Sequence, residues 1–368
     1  MRILHTADWH LGRTLCGASF QPDQEWWLTE GLPAILRDTK PDLLVVAGDI
    51  YDRAIPPADA TALLSDALDR VIRQLGIRVL MTSGNHDDGQ RLAFASPLLE
   101  ASALHIVECP LGRVLTFEDE HGPISFACAG FGTPTLLTAL LALETRLADH
   151  DAAFAASILH LTRQIPEGQR RIYVGHAFVQ GGEGCESERP VQIGGGGLVD
   201  ARHLTGFAYA ALGHLHRAQT HGRGAYSGSP LAYSFSEAGQ AKSVALVEIA
   251  ADGGVTSHAI PIAPPRLLRC LRGTVEEILA MGLPKGDWLD VTFTERDSTA
   301  IHRLREHFPH VLQYRFDAPA ASNRAAPARR ALATQPLQLI EEFWTLLDAG
   351  EWGEAEREAA VEALEGML

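Results

Sequence analysis

The sequence predicts an α/β fold, and three observations carry that expectation. Short apolar runs alternate with stretches of helical periodicity through residue 265. Each apolar run closes on a loop bearing Asp, Asn or His. After Pro264-Pro265 a second, smaller alternation begins, which marks a separate module.

Taken in order, Arg2–Thr6 reads as a short strand and residues 24–38 as a helix. Leu43–Ala47 is apolar without a break and ends at Gly48, the pattern of a strand buried on both faces. Residues 57–75 repeat Ala60, Leu63, Leu64, Ala67, Leu68 and Val71 with helical spacing. Arg78–Thr82, Ile172–Gly175 and Tyr209–Gly213 are further buried strands. In open α/β sheets, ligands gather at the carboxyl ends of strands, so five such loops on one edge predict a site there. Downstream, 266–272, 288–294 and 310–316 read as strands, and 274–281 and 299–307 as helices. Residues 318–336 are rich in Ala, Pro and Arg and read as a linker. The segment 337–368 reads as two short amphipathic helices. Leu337, Ile340, Phe343, Trp344 and Leu347 form one apolar face, and Ala360, Val361, Leu364, Met367 and Leu368 another. The expected domains are thus 1–265, 266–317, a linker at 318–336, and a helical pair at 337–368.

The chain has 368 residues, of which 46% are hydrophobic, ample for a large core. No apolar run reaches the roughly 18 residues of a membrane span, so no membrane association is expected. The opening residues carry Asp8 and two histidines, unlike a signal peptide. Five scattered cysteines form no CxxC pair, which excludes a disulfide framework and a thiolate zinc site and fits a reducing cytoplasm. A net charge of −15 argues against a simple DNA-coating protein. Residues 341–368 alone contribute −8, from nine acidic and one basic residue.

Five motifs carry chemistry. Asp8 and His10, two apart at a strand exit, can face one cation. Asp49 ends a buried strand, where an unpaired carboxylate is costly, so it either caps a loop or meets a cation. Gly84-Asn85-His86-Asp87 is more than an Asx turn explains. His176 taken alone reads as a hydrogen-bonded core histidine. His214 and His216 can point the same way from an extended segment, and imidazoles are common ligands of zinc, manganese and iron. Together these carboxylate, amide and imidazole groups suit two divalent cations roughly 3.5–4 Å apart. Gly181–Glu186 receives no role, and Gly194–Gly197 reads as a flexible turn. No GxxxxGK[ST] phosphate loop is present, so any ATP dependence must come from a partner.

The order of these motifs resembles the calcineurin-like metallophosphoesterase superfamily and, within it, the SbcD family of double-strand-break repair nucleases. The discriminating strings are His5-Thr6-Ala7-Asp8-Trp9-His10-Leu11-Gly12-Arg13, Ala47–Asp52, Ala210–Arg217 and Gly228-Ser229-Pro230. The resemblance implies a β-sandwich flanked by helices over about residues 1–260, a small α/β DNA-capping domain, and a C-terminal helical hairpin that binds an ATPase. It implies Asp8, His10, Asp49 and His216 as ligands of one metal, and Asp49, Asn85, His176 and His214 as ligands of the other, with Asp49 bridging. His86 corresponds to the catalytic histidine. Asp52 occupies a position that is His in some archaeal relatives. The implied activity is hydrolysis of DNA phosphodiesters, as a duplex exonuclease and a single-strand and hairpin endonuclease. The implied cofactors are two Mn²⁺ ions, with Mg²⁺ as the alternative. The implied partners are the SbcC ATPase, double-stranded and hairpin DNA, and a second copy of the chain.

Two other readings compete. The first is a protein phosphatase or cyclic-nucleotide phosphodiesterase: Asp49-Ile50-Tyr51-Asp52-Arg53 is close to a phosphatase string, but the Ala7–Gly12 stretch and the appended segments depart from it. A non-catalytic scaffold between DNA and ATPase would have lost ligands, and all seven are present.

Overall fold

A computed structural model describes residues 1–188, 197–317 and Gly353. The segments predicted as linker (318–336) and helical pair (337–368) therefore lie outside the described residues, Gly353 excepted, as does most of the Gly194–Gly197 run. Met1–Asp317 forms one compact unit.

Two six-stranded sheets face each other. The first runs in spatial order Val255–Pro261, Ser243–Ile249, Arg2–Thr6, Leu43–Ala47, Arg78–Thr82 and Leu104–Val107. The second runs Gln219–His221, Gly224–Tyr226, Tyr209–Gly213, Arg170–His176, Gly122–Cys128 and Arg113–Asp119. Arg2–Thr6, Leu43–Ala47, Arg78–Thr82 and Leu104–Val107 are mutually parallel, so their carboxyl ends share one edge. Arg170–His176 and Tyr209–Gly213 are likewise parallel.

Side-chain alternation explains why these strands carry unbroken apolar runs. Ile3, Leu43, Val45, Ala47 and Leu80 point between the sheets, where they meet Phe126, Ile172, Val174 and Ala211 of the second sheet. Leu4, Leu44, Val46, Val79 and Met81 point outward, onto Trp27, Leu32, Leu36, Leu63 and Leu64 of the covering helices. The second sheet's outer face packs Tyr173, Ala210 and Leu212 against Ile158 and Leu161 of the helix His150–Thr162. Each such fully buried aliphatic side chain contributes about 1.5–3 kcal/mol. The result is a β-sandwich with helices on both outer faces.

Two predicted helices are less regular than their periodicity. The first is Gln21–Trp26, a π-turn at Trp27–Gly31, then Leu32–Thr39. Pro33 has no N–H for the preceding turn, and the ladder widens there. The second is Ala58–Asp69 followed by a π-turn at Arg70–Gln74.

Leu268–Gly273, Trp288–Phe293 and Val311–Phe316 form a parallel three-stranded sheet, with helices Val275–Ala280 and Ala300–His307 between its strands. Thr274 and Glu277 close a capping box on the first helix. Trp288 seats this module on the sandwich. Its ring lies 4.6 Å from Phe20, beneath Arg266, whose Nε donates to Asp23 at 2.6 Å. Among the described residues, no helix is long and apolar enough to cross a membrane.

Candidate metal centre

The strand ends carry an unusual backbone. Asp8, His10, Asp49 and His214 all have positive φ, at 55°, 45°, 50° and 106°. Such conformations cost of order 1–3 kcal/mol each and persist only where surrounding contacts hold them. Those contacts are present. Asp8 N donates to Gly48 O at 3.1 Å and His10 N to Asp49 O at 3.0 Å, which joins the first two loops. The Asp87 carboxylate accepts from Ile50 N, Tyr51 N and Gly84 N at 3.1, 2.9 and 2.8 Å, which pins the third loop to the second. Glycine at position 84 is a steric requirement, because a Cβ there would stand 2.1 Å from Asp49 Oδ1.

The predicted residues converge. Asp8, His10 and His216 form one group whose ligand atoms all lie within 4.8 Å. Asp8, Asp49 and His176 form another, and His10, Asp49 and His86 a third. Asp49 Oδ2 stands 3.4 Å from His176 Nε2, 3.6 Å from His10 Nε2 and 3.9 Å from His86 Nε2. Asn85 Oδ1 lies 2.9 Å from His176 Nε2 and 3.0 Å from His214 Nδ1. His214 and His216 do not point the same way. His214 turns to Asn85 and His176, whereas His216 turns to Asp8 and His10, because the positive φ at His214 reverses the chain between them. His86 N donates to Asp49 Oδ1 at 2.9 Å, and its Nδ1 lies 2.8 Å from Asp52 O. Asp52 also holds Arg13, at 2.9 Å from Nη1.

The donor set fits divalent cations. His10 and His216 bring their Nε2 atoms within 3.0 Å of each other. Two neutral imidazoles sharing that approach would set lone pair against lone pair unless a proton or a cation lies between. Asp8 Oδ2 is buried and has no hydrogen-bond partner among the described residues. A buried carboxylate oxygen left so is costly, and a cation removes the cost. Burial pushes the Asp8 carboxyl up to about 7, so its anionic form depends on nearby positive charge. Burial likewise lowers His214 to about 3. Asp49 goes the other way: burial opposes its charge, but His176 and the other imidazoles hold its carboxyl well below the usual range.

Four residues that no sequence motif singles out hold His216 in place. Ser187, Glu188, Glu237 and Lys242 each bond to it or to one another. Their one signal in sequence is nearness to the Gly228-Ser229-Pro230 turn and to the Gly181–Glu186 loop.

The calcineurin-like phosphoesterase family matches residues 1–217 of this chain. The chain belongs to that family of metal-dependent phosphoesterases. It is 36% identical over 334 residues to the SbcD component of the SbcCD nuclease of Bacillus subtilis (strain 168), covering 86% of this chain and 85% of that one. It is 35% identical over 321 residues to the corresponding SbcCD nuclease component of Staphylococcus saprophyticus, covering 84% and 80%. The Staphylococcus epidermidis protein of the same name is 32% identical over 285 residues, covering 76% and 74%. Within the phosphoesterases, the chain thus belongs to the SbcD family of nucleases.

Proposed function

We propose that this chain hydrolyses DNA phosphodiesters at this centre, with two divalent ions, Mn²⁺ in preference to Mg²⁺, and that it works with an SbcC-type ATPase in the cytoplasm. One observation carries the reading: the Asp49 carboxylate lies within 3.9 Å of imidazoles from three separate loops, His10, His86 and His176. That position suits a carboxylate shared by two ions. Asp8, His10, Asp49 and His216 would hold one ion, and Asp49, Asn85, His176 and His214 the other. Bound divalent ions supply an acidified water and neutralise phosphate oxygens.

The chain's own residues do the rest. His86 anchors its Nδ1–H on Asp52 O, which aims Nε2 into the pocket. In its protonated form it donates from Nε2 to a phosphoryl or leaving oxygen. His176 donates from Nδ1 to Ala47 O at 3.1 Å, which would leave the Nε2 lone pair to hold an ion together with Asp49 Oδ2 and Asn85 Oδ1. Asp87 fixes the distance between the Asp49 and Asn85 loops through its three backbone bonds.

The module at 266–317 is read as the part that caps DNA, and 337–368 as the ATPase-binding pair. A homodimer is part of the reading, and the exposed Phe94 and Leu98 side chains are apolar surface that a second copy would cover. The test is a nuclease assay on linear duplex and hairpin DNA with Mn²⁺ or Mg²⁺, with and without the ATPase. Hydrolysis of phosphoserine peptides without cleavage of DNA would overturn the reading in favour of a phosphatase. Absence of all hydrolysis alongside retained DNA binding would favour a scaffold.

A further inference from the structure

His216 stands out among the imidazoles of the centre for how it is held. Its Nδ1 lies 2.8 Å from Ser187 Oγ, and the same hydroxyl lies 2.5 Å from Glu237 Oε1. A hydroxyl has one proton, so it accepts from His216 Nδ1–H and donates to the carboxylate. The chain of bonds therefore runs imidazole to serine to carboxylate. Glu237 Oε1 is also 3.4 Å from His216 Nδ1 and accepts from Tyr233 N at 3.0 Å. Its other oxygen accepts from Lys242 Nζ at 2.5 Å. Lys242 in turn donates to His216 O at 3.0 Å. Glu188 Oε1 accepts from His216 N at 2.8 Å.

Glu237, Ser187, His216 and Lys242 are all buried. Burying a glutamate costs several kcal/mol unless it is paired and hydrogen-bonded. Structural duty alone would be met by Lys242 and Tyr233 N, with longer contacts from the Ser229 and Ser234 hydroxyls. The short contact through Ser187 to the imidazole is aimed at His216. By comparison, His176 Nδ1 rests on a neutral backbone carbonyl, Ala47 O.

We infer that Glu237 is a positioning residue: acting through Ser187, it fixes His216 as the Nδ1–H tautomer and strengthens the Nε2 lone pair as a metal ligand toward the Asp8 and His10 side of the centre. The segment Cys185–Glu188 is then the clamp that brings Ser187 and Glu188 to His216, and Lys242 balances the charge of Glu237. The inference rests on the two-ion reading of the centre. Losing a partner that orients a ligand histidine weakens metal affinity by about 10–100-fold. The weakening is expected in one of the two ions only, since among the described residues Asn85 lies against His176 and His214, and His176 Nδ1 against Ala47 O, with no hydrogen bond from these three to Ser187 or Glu237.

Mn²⁺ titration of the full chain, followed by calorimetry and by electron paramagnetic resonance, tests this without any cleavage assay. Three variants are compared with the native chain: Glu237→Gln, the charge-balanced Glu237→Gln/Lys242→Met pair, and Ser187→Ala. The Ser187 variant removes only the relaying hydroxyl and covers the case in which a Glu237 variant fails to fold. Expected is a loss of about 10–100-fold in the affinity of one ion, with the other within about twofold and the melting temperature without metal unchanged for Ser187→Ala. Two native-like affinities in Ser187→Ala would overturn the relay while leaving the two-ion reading intact. A native chain that binds fewer than two Mn²⁺ ions would overturn both.

Discussion

His10 and His216 face each other through their Nε2 atoms at 3.0 Å, both side chains buried, from positions 206 residues apart in the chain. His10 follows the Arg2–Thr6 strand of the first sheet, and His216 follows the Tyr209–Gly213 strand of the second. The centre therefore straddles the two sheets at one edge. Neither sheet alone supplies all of the proposed ligands, so the cluster depends on the sandwich being closed by its inter-sheet core.

Asp49→Ala is expected to abolish Mn²⁺-dependent hydrolysis and to remove at least one bound ion. Asp49 is the carboxylate nearest the imidazoles of His10, His86 and His176, and it also accepts His86 N. Metal content by mass spectrometry on the native-state protein, alongside a cleavage assay, decides it. Full activity with two ions would remove Asp49 from the bridging role.

His86→Ala should keep both ions and lose at least about a hundredfold in cleavage rate, the scale of removing a proton donor or charge stabiliser. The geometry makes this a sharp test, because His86 Nε2 is only 3.9 Å from Asp49 Oδ2. If anomalous scattering from crystals of the variant showed an ion missing, His86 would instead be a ligand.

Asp119→Asn should destabilise the fold at neutral pH by about 1.5–3 kcal/mol, the range for hydrogen bonds to charged groups. Arg170 grips the carboxylate with two nitrogens, at 2.5 and 2.9 Å, and joins two strands of the second sheet. This Arg170 contact holds the Asp119 carboxyl well below the usual carboxylate range. The folded pKa is thus depressed, so the stabilisation is fully present above the unfolded value of about 3.9 and is lost as pH falls through the folded one. Denaturant midpoints of the two proteins should differ near pH 7, begin to approach each other below about pH 4, and converge only as pH falls through the depressed folded pKa. A constant gap down to acid pH would contradict the ion pair's contribution.

Truncation after about residue 335 should spare Mn²⁺-dependent cleavage of short DNA while greatly weakening binding to the SbcC-type ATPase. The basis is the spacing of Leu337, Ile340, Phe343, Trp344 and Leu347 on one helical face, downstream of an Ala/Pro/Arg stretch. A pull-down with unchanged ATPase retention would refute the docking role. Failure of the truncated chain to fold would instead mean that these residues pack on the core.

The sequence by itself determined the strands and the residue types gathered at their ends. Leu43–Ala47 and Tyr209–Gly213 are apolar throughout because each is buried on both faces, and that signature is local. Asp8, Asp49, Asn85, His176 and His214 were legible because each follows such a strand within a few residues. Tertiary structure decided everything that depends on distance between loops. His214 and His216 share a tripeptide yet serve different sides of the centre, which spacing could not reveal because one positive φ turns the chain between them. Ser187 and Glu237 meet His216 from 29 and 21 residues away. No periodicity encodes such a meeting, since it follows from how whole strands and loops pack. A carboxylate after a strand looks the same in sequence whether it caps a loop, as Asp87 does, or faces a cluster of imidazoles, as Asp49 does. The neighbours that fold against it make the difference, by setting whether its charge is met by backbone N–H groups or by groups suited to share a cation.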